Sequence, residues 1–359
     1  MKRIWTRWLP AAAVPAAVAV AVLAGGASAV TPPSPSTPEQ VLALVAGHTA
    51  QRFSGTIEEK TDLGLPSIPS QALGPATSSS SLGSAATVLE LLTTPHTARV
   101  YADGPTKLRV QVMDQLAERD AVRNGSDAWT YDSKTNTATH LSLPSGTTAP
   151  RMPAPSMPAV TPDQLAQRFL AAAGPSTNIA LGPTTTLADH TAYTLVLTPK
   201  TSDTLVASVQ IAVESQTGLP LSVDVYAKGQ SDPAFHTAFQ KLDLNAPDAS
   251  VFSFTPPAGA TVKQEQLPAR KTASEPTPKP TATAPHKSAE PAKSWDSVVV
   301  IPADKVPASF TGSALVKQLA SPVADGRLLS SSLLNILITN DGRVIAGAVP
   351  AATLMAAAK

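Results

Sequence analysis

At 359 residues the chain has room for one large domain or two modest ones, and 27 Lys plus Arg against 26 Asp plus Glu leave a net charge of +1. So balanced a charge supplies no single-sign field to steer nucleic acid or a strongly acidic partner. Cysteine is absent, which excludes disulfides, thiolate metal sites, cysteine nucleophiles and a cysteine-linked lipid anchor; 35 prolines and 4% aromatic residues mark part of the chain as linker.

In chain order, Lys2, Arg3 and Arg7 precede an Ala/Val-rich run from Ala11 to Leu23, and Ala27, Ser28 and Ala29 supply small residues for a signal peptidase. The apolar run is short, rich in Ala and interrupted by Pro15, whereas a spanning helix needs ~20 strongly apolar residues. Residues 1–29 therefore read as a leader cleaved on export, with an uncleaved membrane anchor as the alternative. "TPEQVLALVAGH" follows: Thr37 caps a helix, Pro38 fits its first position, and Gln40 reaches back to complete a capping box. The same opening recurs in "TPDQLAQRFLAAAG", with Thr161, Pro162 and Gln164, and with Gly174 as terminator.

Between the two helices the pattern is that of strands. "SGTIEEK" is the edge of a strand, and a Pro/Ser/Gly-rich stretch from Leu63 to Ser84 leads into "AATVLELLTTP", which reads as a short helix. "KLRVQVMD" places Leu108, Val110 and Val112 on one face. A hairpin turns at Asn124-Gly125, and "TATHLSLP" adds a strand. After the second helix, "HTAYTLVLTPK", "DTLVASVQIAVE", "LPLSVDVYAK" and "AFHTAFQKLDL" are four more strands, and Leu219, Leu221, Val223 and Val225 form one apolar row. Short connections make the neighbours antiparallel. "VFSFTPPAGA" closes the block. Residues 267–294 have almost no large apolar residues and read as an extended linker. Residues 295–359 read as strand, helix, hairpin at Asn340-Asp341-Gly342, and helix, either docked on the main sheet or standing apart.

The six histidines have no partner at metal-ligand spacing, and no nucleophile elbow, P-loop or dinucleotide fingerprint is present. No cofactor is implied. What remains is geometry. A sheet of ~10 strands of ~8 residues presents a face on the order of 1,200 Å², and two or three helices of ~18 Å by ~10 Å cover about 350 to 550 Å² of it. The remainder is closed by a sheet that curls on itself, or it encloses a ligand.

Several of these stretches resemble the LolA-like superfamily, in the versions found in exported proteins of high-GC Gram-positive bacteria. They are "FSGTIEEKTDLGLP", "AERDAVRNGSDAWTYDSKTNTATHLSLP", "HTAYTLVLTPK", "IAVESQTGLPLSVDVYAKGQSDPAFHTAFQKLDL" and "FSFTPPAGATV", over about Thr37 to Val262, with "NILITNDGRVIAGAVP" typical of the subgroup. The resemblance implies a mainly β (α+β) fold: a large, curved, unclosed antiparallel sheet with two or three helices on its concave side, and a small C-terminal αβ unit. Residues 30–266 would form the LolA-like domain. No enzyme is implied and no catalytic residue is carried over. The reading is of an exported protein holding a lipid or lipoprotein acyl chain against an apolar lining, for which the candidates are Leu108, Val110, Val112, Trp129, Tyr131, Leu195, Val209 and Val223. An envelope-stress regulator of the RseB/MucB type, binding an anti-sigma factor, is the alternative; a cell-envelope hydrolase is a third. Nucleic acid is not among the partners.

Overall fold

Thr37 and Thr161 both open helices. Gln40 Oε1 accepts from the Thr37 and Ser36 N–H groups at 3.3 and 2.7 Å at the start of α1 (Pro38–Ala46). Thr161 Oγ1 accepts from Gln164 N at 3.3 Å at the start of α2 (Pro162–Ala172). These oxygens satisfy N–H groups that the first helical turn leaves without intrahelical partners. The computed structural model describes residues 35–48, 51–64, 96–113, 117–143, 161–266, 294–306 and 314–359. The leader at 1–29, the short helix expected in "AATVLELLTTP" and all but Ser294 of the 267–294 linker lie outside the described residues.

The fold is mainly β, as the sequence implied. In chain order the strands of the larger sheet are β1 (Arg52–Thr61), β2 (His96–Asp103), β3 (Lys107–Met113), β4 (Glu118–Asn124), β5 (Asp127–Asp132), β6 (Thr137–Ser142), β7 (Thr177–Leu181), β8 (Thr185–Leu187), β9 (His190–Pro199), β10 (Val206–Glu214), β11 (Pro220–Ala227), β12 (Pro233–Asp243) and β13 (Thr261–Gln266). They pair in the order β13-β6-β5-β4-β3-β2-β1-β12-β11-β10-β9-β7, with β8 also on β9, in an open sheet. All pairs are antiparallel except β13 with β6. That exception arises because residues 244–260 carry the chain back across the sheet before β13 begins, which a tight hairpin cannot do. β2, β7, β8 and β13 were not anticipated from the sequence, and the closing stretch "VFSFTPPAGA" holds a short 3₁₀ helix and loop, with the strand following it.

Two meanders, β1–β6 and β7–β12, become one sheet through the pairing of β1 with β12, whose register runs from Ser54↔Asp243 to Thr61↔Phe235 with an irregularity at Thr56/Ile57. Gly55 lies at this seam. A Cβ there would sit 2.7 Å from the Phe239 ring and 2.6 Å from the Lys241 carbonyl oxygen, so only glycine lets that ring lie flat over the strand. Phe53 meets Phe239 edge-on, with ring centroids 5.9 Å apart.

The apolar face of the sheet holds two clusters. One gathers Ile57, Ala98, Val100, Val110, Val112, Leu219, Leu221 and Phe239. The other gathers Leu195, Leu197, Val209, Ile211, Val213, Val223 and Val225 beneath Val41 and Val45 of α1 and Ala166 of α2. The expected row Leu219, Leu221, Val223, Val225 bridges the two. Its hairpin turns at Gly218 (φ 77°), where a Cβ would stand 2.2 Å from the Leu44 carbonyl oxygen, so the turn also fixes the end of α1. Glu214 ties the same turn, accepting from the Gln216 N–H and from the Thr217 hydroxyl at 3.0 and 2.7 Å.

The described residues of 294–359 form a second sheet: β14 (Val298–Ile301), α3 (Ala314–Leu319), β15 (Ser321–Val323), β16 (Gly326–Ser330), β17 (Asn335–Thr339), β18 (Val344–Gly347) and α4 (Ala351–Ala357), with strand order β14-β18-β17-β16-β15. This sheet adds no strand to the larger one but docks on it. Leu205 N and Thr204 Oγ1 donate to the Ala348 carbonyl at 2.7 and 2.9 Å. Trp295 stacks on Phe169 at 6.2 Å and donates to Thr177 Oγ1 at 2.7 Å.

Replacing Gly55 with Ala forces Phe239 off the seam. We expect it to destabilise the protein by about 1–3 kcal/mol, read as a lower urea midpoint; an unchanged midpoint contradicts the seam.

Candidate functional site

The strand registers decide which candidate residues share a face. Val100 stands opposite Val110, Ala98 opposite Val112, and Ala102 opposite Leu108. Ile57 links Ala98 to Phe239 across β1. Val223 stands opposite Ile211, Val225 opposite Val209, and Ile211 opposite Leu195. Leu108, Val110, Val112, Leu195, Val209 and Val223 therefore belong to one face of the sheet.

Trp129 and Tyr131 do not. Val110 stands opposite Ala121 and Ala121 opposite Thr130, so the residues flanking Thr130 point to the other face. There Trp129 stacks on His140 at 4.4 Å and meets Phe254 at 5.5 Å, and Tyr131 lies 6.1 Å from Phe254. A short 3₁₀ helix (Ala249–Phe252) and the residues after it bring Phe254 over this outer surface. Arg109 anchors that crossing. Its guanidinium forks onto Asp120 at 3.1 and 2.6 Å and also donates to the Val251 carbonyl at 2.8 Å. Burial still pushes the Asp120 carboxyl above its ordinary range, against the pull of Arg109.

The six inward residues differ in what covers them. Leu195, Val209 and Val223 pack under α1 and α2 and are ordinary structural core. Among the described residues the helix packing on the larger sheet runs to β7 and β9 from α1 and to β11 and β12 from α2. The 3₁₀ helix Ala249–Phe252 meets β3 and β4 from the outer face, whereas α1 and α2 centre their packing away from β3, where Leu108, Val110 and Val112 sit; Val110 and Val112 are nonetheless as fully buried as Leu195. The connections on this half, residues 65–95 and 144–160, lie outside the described residues.

Polar groups interrupt this half. Glu59 stands opposite His96 on one side and Thr237 on the other, in the same row as Val223. Glu59, His96 and Thr237 are 7%, 4% and 0% exposed. The Thr237 and Thr61 hydroxyls have no hydrogen-bond partner. Burial raises the Glu59 carboxyl above its ordinary range, and His96 partly offsets the rise. A buried carboxylate, even with His96 beside it, is costly within an apolar face, and so is a buried hydroxyl without a protein partner. Period-two reading of "SGTIEEKT" could have found Glu59 as the inward residue after Ile57; the sequence reading passed it over.

Where β1 starts, a cleft of about 680 Å³ is lined by Gln51, Arg52, Asp103, Gly104, Pro105, Thr217 and Leu244. Arg52 and Asp103 pair across its rim at 3.1 Å. The hydrogen bond from Lys107, with Arg52 nearby, holds the Asp103 carboxyl below its usual range. Leu244 carries the cleft to the apolar cluster of β1–β3.

On the outer face Ser222, Asp224 and His236 align across β11 and β12. The carboxylate stands in the middle: Ser222 Oγ donates to Asp224 Oδ2 at 3.4 Å, and His236 Nδ1 bonds Asp224 Oδ1. A nucleophilic serine needs the imidazole as its base, so this order of groups does not activate Ser222. Among the described residues no cluster of three or more His, Asp or Glu could hold a metal ion, and no helix is long and apolar enough to cross a membrane.

No family model matches the chain, and no curated protein matches it in sequence. Solved structures similar to it include the MucA/MucB complex of Pseudomonas aeruginosa, at 17% identity over 89% of this chain and 96% of that one, with a TM-score of 0.42. A LolA superfamily protein from Nitrosomonas europaea is 12% identical over 61% of this chain and 99% of that one, with a TM-score of 0.22. A third similar structure is a putative outer membrane lipoprotein-sorting protein domain from Vibrio parahaemolyticus, at 8% identity over 60% of this chain and 94% of that one and a TM-score of 0.19.

The Glu59 carboxyl binds its proton more tightly folded than unfolded, so its contribution to stability is present at low pH and is lost as pH rises through its raised pKa. Glu59→Gln should therefore raise the thermal midpoint at pH 8, with the gain vanishing below about pH 4. An equal effect at both pH values contradicts the buried carboxylate.

Proposed function

We propose that this is an exported, non-enzymatic binding protein that holds a lipid or lipoprotein acyl chain against the apolar half-face of β1–β4. In this reading residues 1–29 are the leader, 30–266 the binding domain, 267–294 a linker, and 295–359 an accessory unit. Leu108, Val110 and Val112, beside Val100 and Ile57, supply the acyl contact. Glu59 and Thr237 supply polar contact for an ester, amide or hydroxyl at the head of the chain. The cleft bounded by Arg52 and Leu244 is the approach to that surface.

The observation that carries this reading is the polar belt inside the apolar face. A Thr237 hydroxyl without a protein partner beside a buried Glu59 is uncommon in a core and fits a binding site, an apolar surface with a few placed polar groups. A carrier also needs no reactive centre, which agrees with the unproductive order of Ser222, Asp224 and His236.

Native mass spectrometry of gently purified protein should reveal a copurifying lipid that a fluorescent fatty acid displaces. Val112→Phe, which narrows the surface, should weaken fatty-acid binding several-fold. Ile211→Val, under the helices, should cost about 0.5–1.5 kcal/mol of stability and leave binding unchanged. Protein that is consistently empty and takes up no labelled acyl chain contradicts the proposal. Recovery of a membrane anti-sigma protein by such lipid-free protein would move the assignment to a regulator.

A further inference from the structure

β14 is the outer strand of the smaller sheet and pairs with β18 alone, in a register from Val298↔Gly347 to Ile301↔Val344. Its other edge has no strand partner among the described residues. Val299, Val300 and Ile301 are 51%, 46% and 37% exposed, consecutive in sequence, and β-branched. Successive residues of a strand point to opposite faces, so both faces of β14 are open at this end, and among the described residues no strand occupies its free edge.

Two of the other sheet edges are protected. β13 carries Lys263 and Glu265, and β15 is three residues long with Pro322 at its centre. Charge, brevity and proline are the devices that keep sheet edges from pairing. β14 has none of them until Pro302 ends it. An uncharged, unprotected edge is a template for strand addition, in which main-chain hydrogen bonds give affinity and alternate side chains give selectivity.

We propose that the free edge of β14 takes an extended segment of a partner protein as a sixth strand, of at least four residues, uncharged, rich in β-branched side chains and without proline. The chain's own linker does not meet these terms. Pro268, Pro276, Pro278, Pro280, Pro285 and Pro291 divide it, and residues 269–275, its longest proline-free run, carry Arg270, Lys271 and Glu275. A second copy does not meet them either. Two β14 edges would join four residues to four, against roughly 20–30 residues a side in a stable interface. A short extended peptide binds by its backbone and has no such size requirement.

The test pans random eight-residue peptides on the full chain and on a Val299→Lys/Val300→Lys variant, with circular dichroism to show that the variant is folded. Enriched peptides should be uncharged, β-branched and proline-free, and should bind the variant at least tenfold more weakly. The best peptide, resynthesised with N-methyl groups at alternate backbone positions, should also lose at least tenfold in one of the two alternations, because those groups remove the ladder donors. Enriched peptides that bind chain and variant alike, or that tolerate both N-methyl alternations, overturn the proposal. So does sedimentation showing that the unliganded chain is a dimer which the double substitution dissociates.

Discussion

The pairing of β1 with β12 is the joint on which the molecule depends. Residues 52–61 and 233–243 are far apart in sequence, and closing so long a loop costs entropy that local contacts do not offset. The Phe239 ring lying over Gly55, with Phe53 against its edge, offsets that cost with dense apolar contact. Without this seam there are two separate meanders, each with an apolar side to cover. With it there is one face, continuous from β6 to β7.

That face is then used in two ways. Over β7, β9, β11 and β12, the helices α1 and α2 lay Val41, Val45 and Ala166 on Leu195, Val209 and Ile211, and the hairpin at Gly218 locks α1 in place. Over β1–β4 the aliphatic lining meets a row of Glu59, His96 and Thr237. Covering one half of a sheet with helices creates stability. Placing polar groups within the other half costs stability, a cost for which the proposed binding role would account. The outer face is kept in order separately, by Arg109 holding Asp120 and the Val251 carbonyl, so that the aromatic group of Trp129, Tyr131 and Phe254 braces the return of the chain to β13.

Much of this was legible in the sequence, and what was not has definite causes. The helix caps at Thr37 and Thr161, the strands β9–β12 and the turn at Asn340-Asp341-Gly342 were marked by local chemistry that tertiary context did not override. β2 was passed over because its inward residues are His96, Ala98, Val100 and Ala102, too small and too polar to register as an apolar row. Trp129 and Tyr131 were named with Leu108, Val110 and Val112 as one apolar lining, and the structure places them on the opposite face. Alternation within a strand shows which residues share a face, but only the register through Ala121 and Thr130 shows which face that is. In β5 the inward residues Ala128 and Thr130 are small, and the outward ones are large because Phe254 covers them. The parallel pairing of β13 with β6 follows from a chain crossing that no local pattern encodes.

The central claim is that the apolar half-face of β1–β4, and neither the helix-covered half nor the outer aromatic surface, receives an acyl chain. Photolabelling of the full chain with a diazirine-bearing fatty acid, followed by peptide mapping, tests it most directly. Adducts are expected on the inward residues of β1–β3, among them Ile57, Val100, Leu108 and Val110, and should diminish when unlabelled fatty acid competes. Competable adducts confined to Trp129, Tyr131 and Phe254, or to α1 and α2, would contradict it.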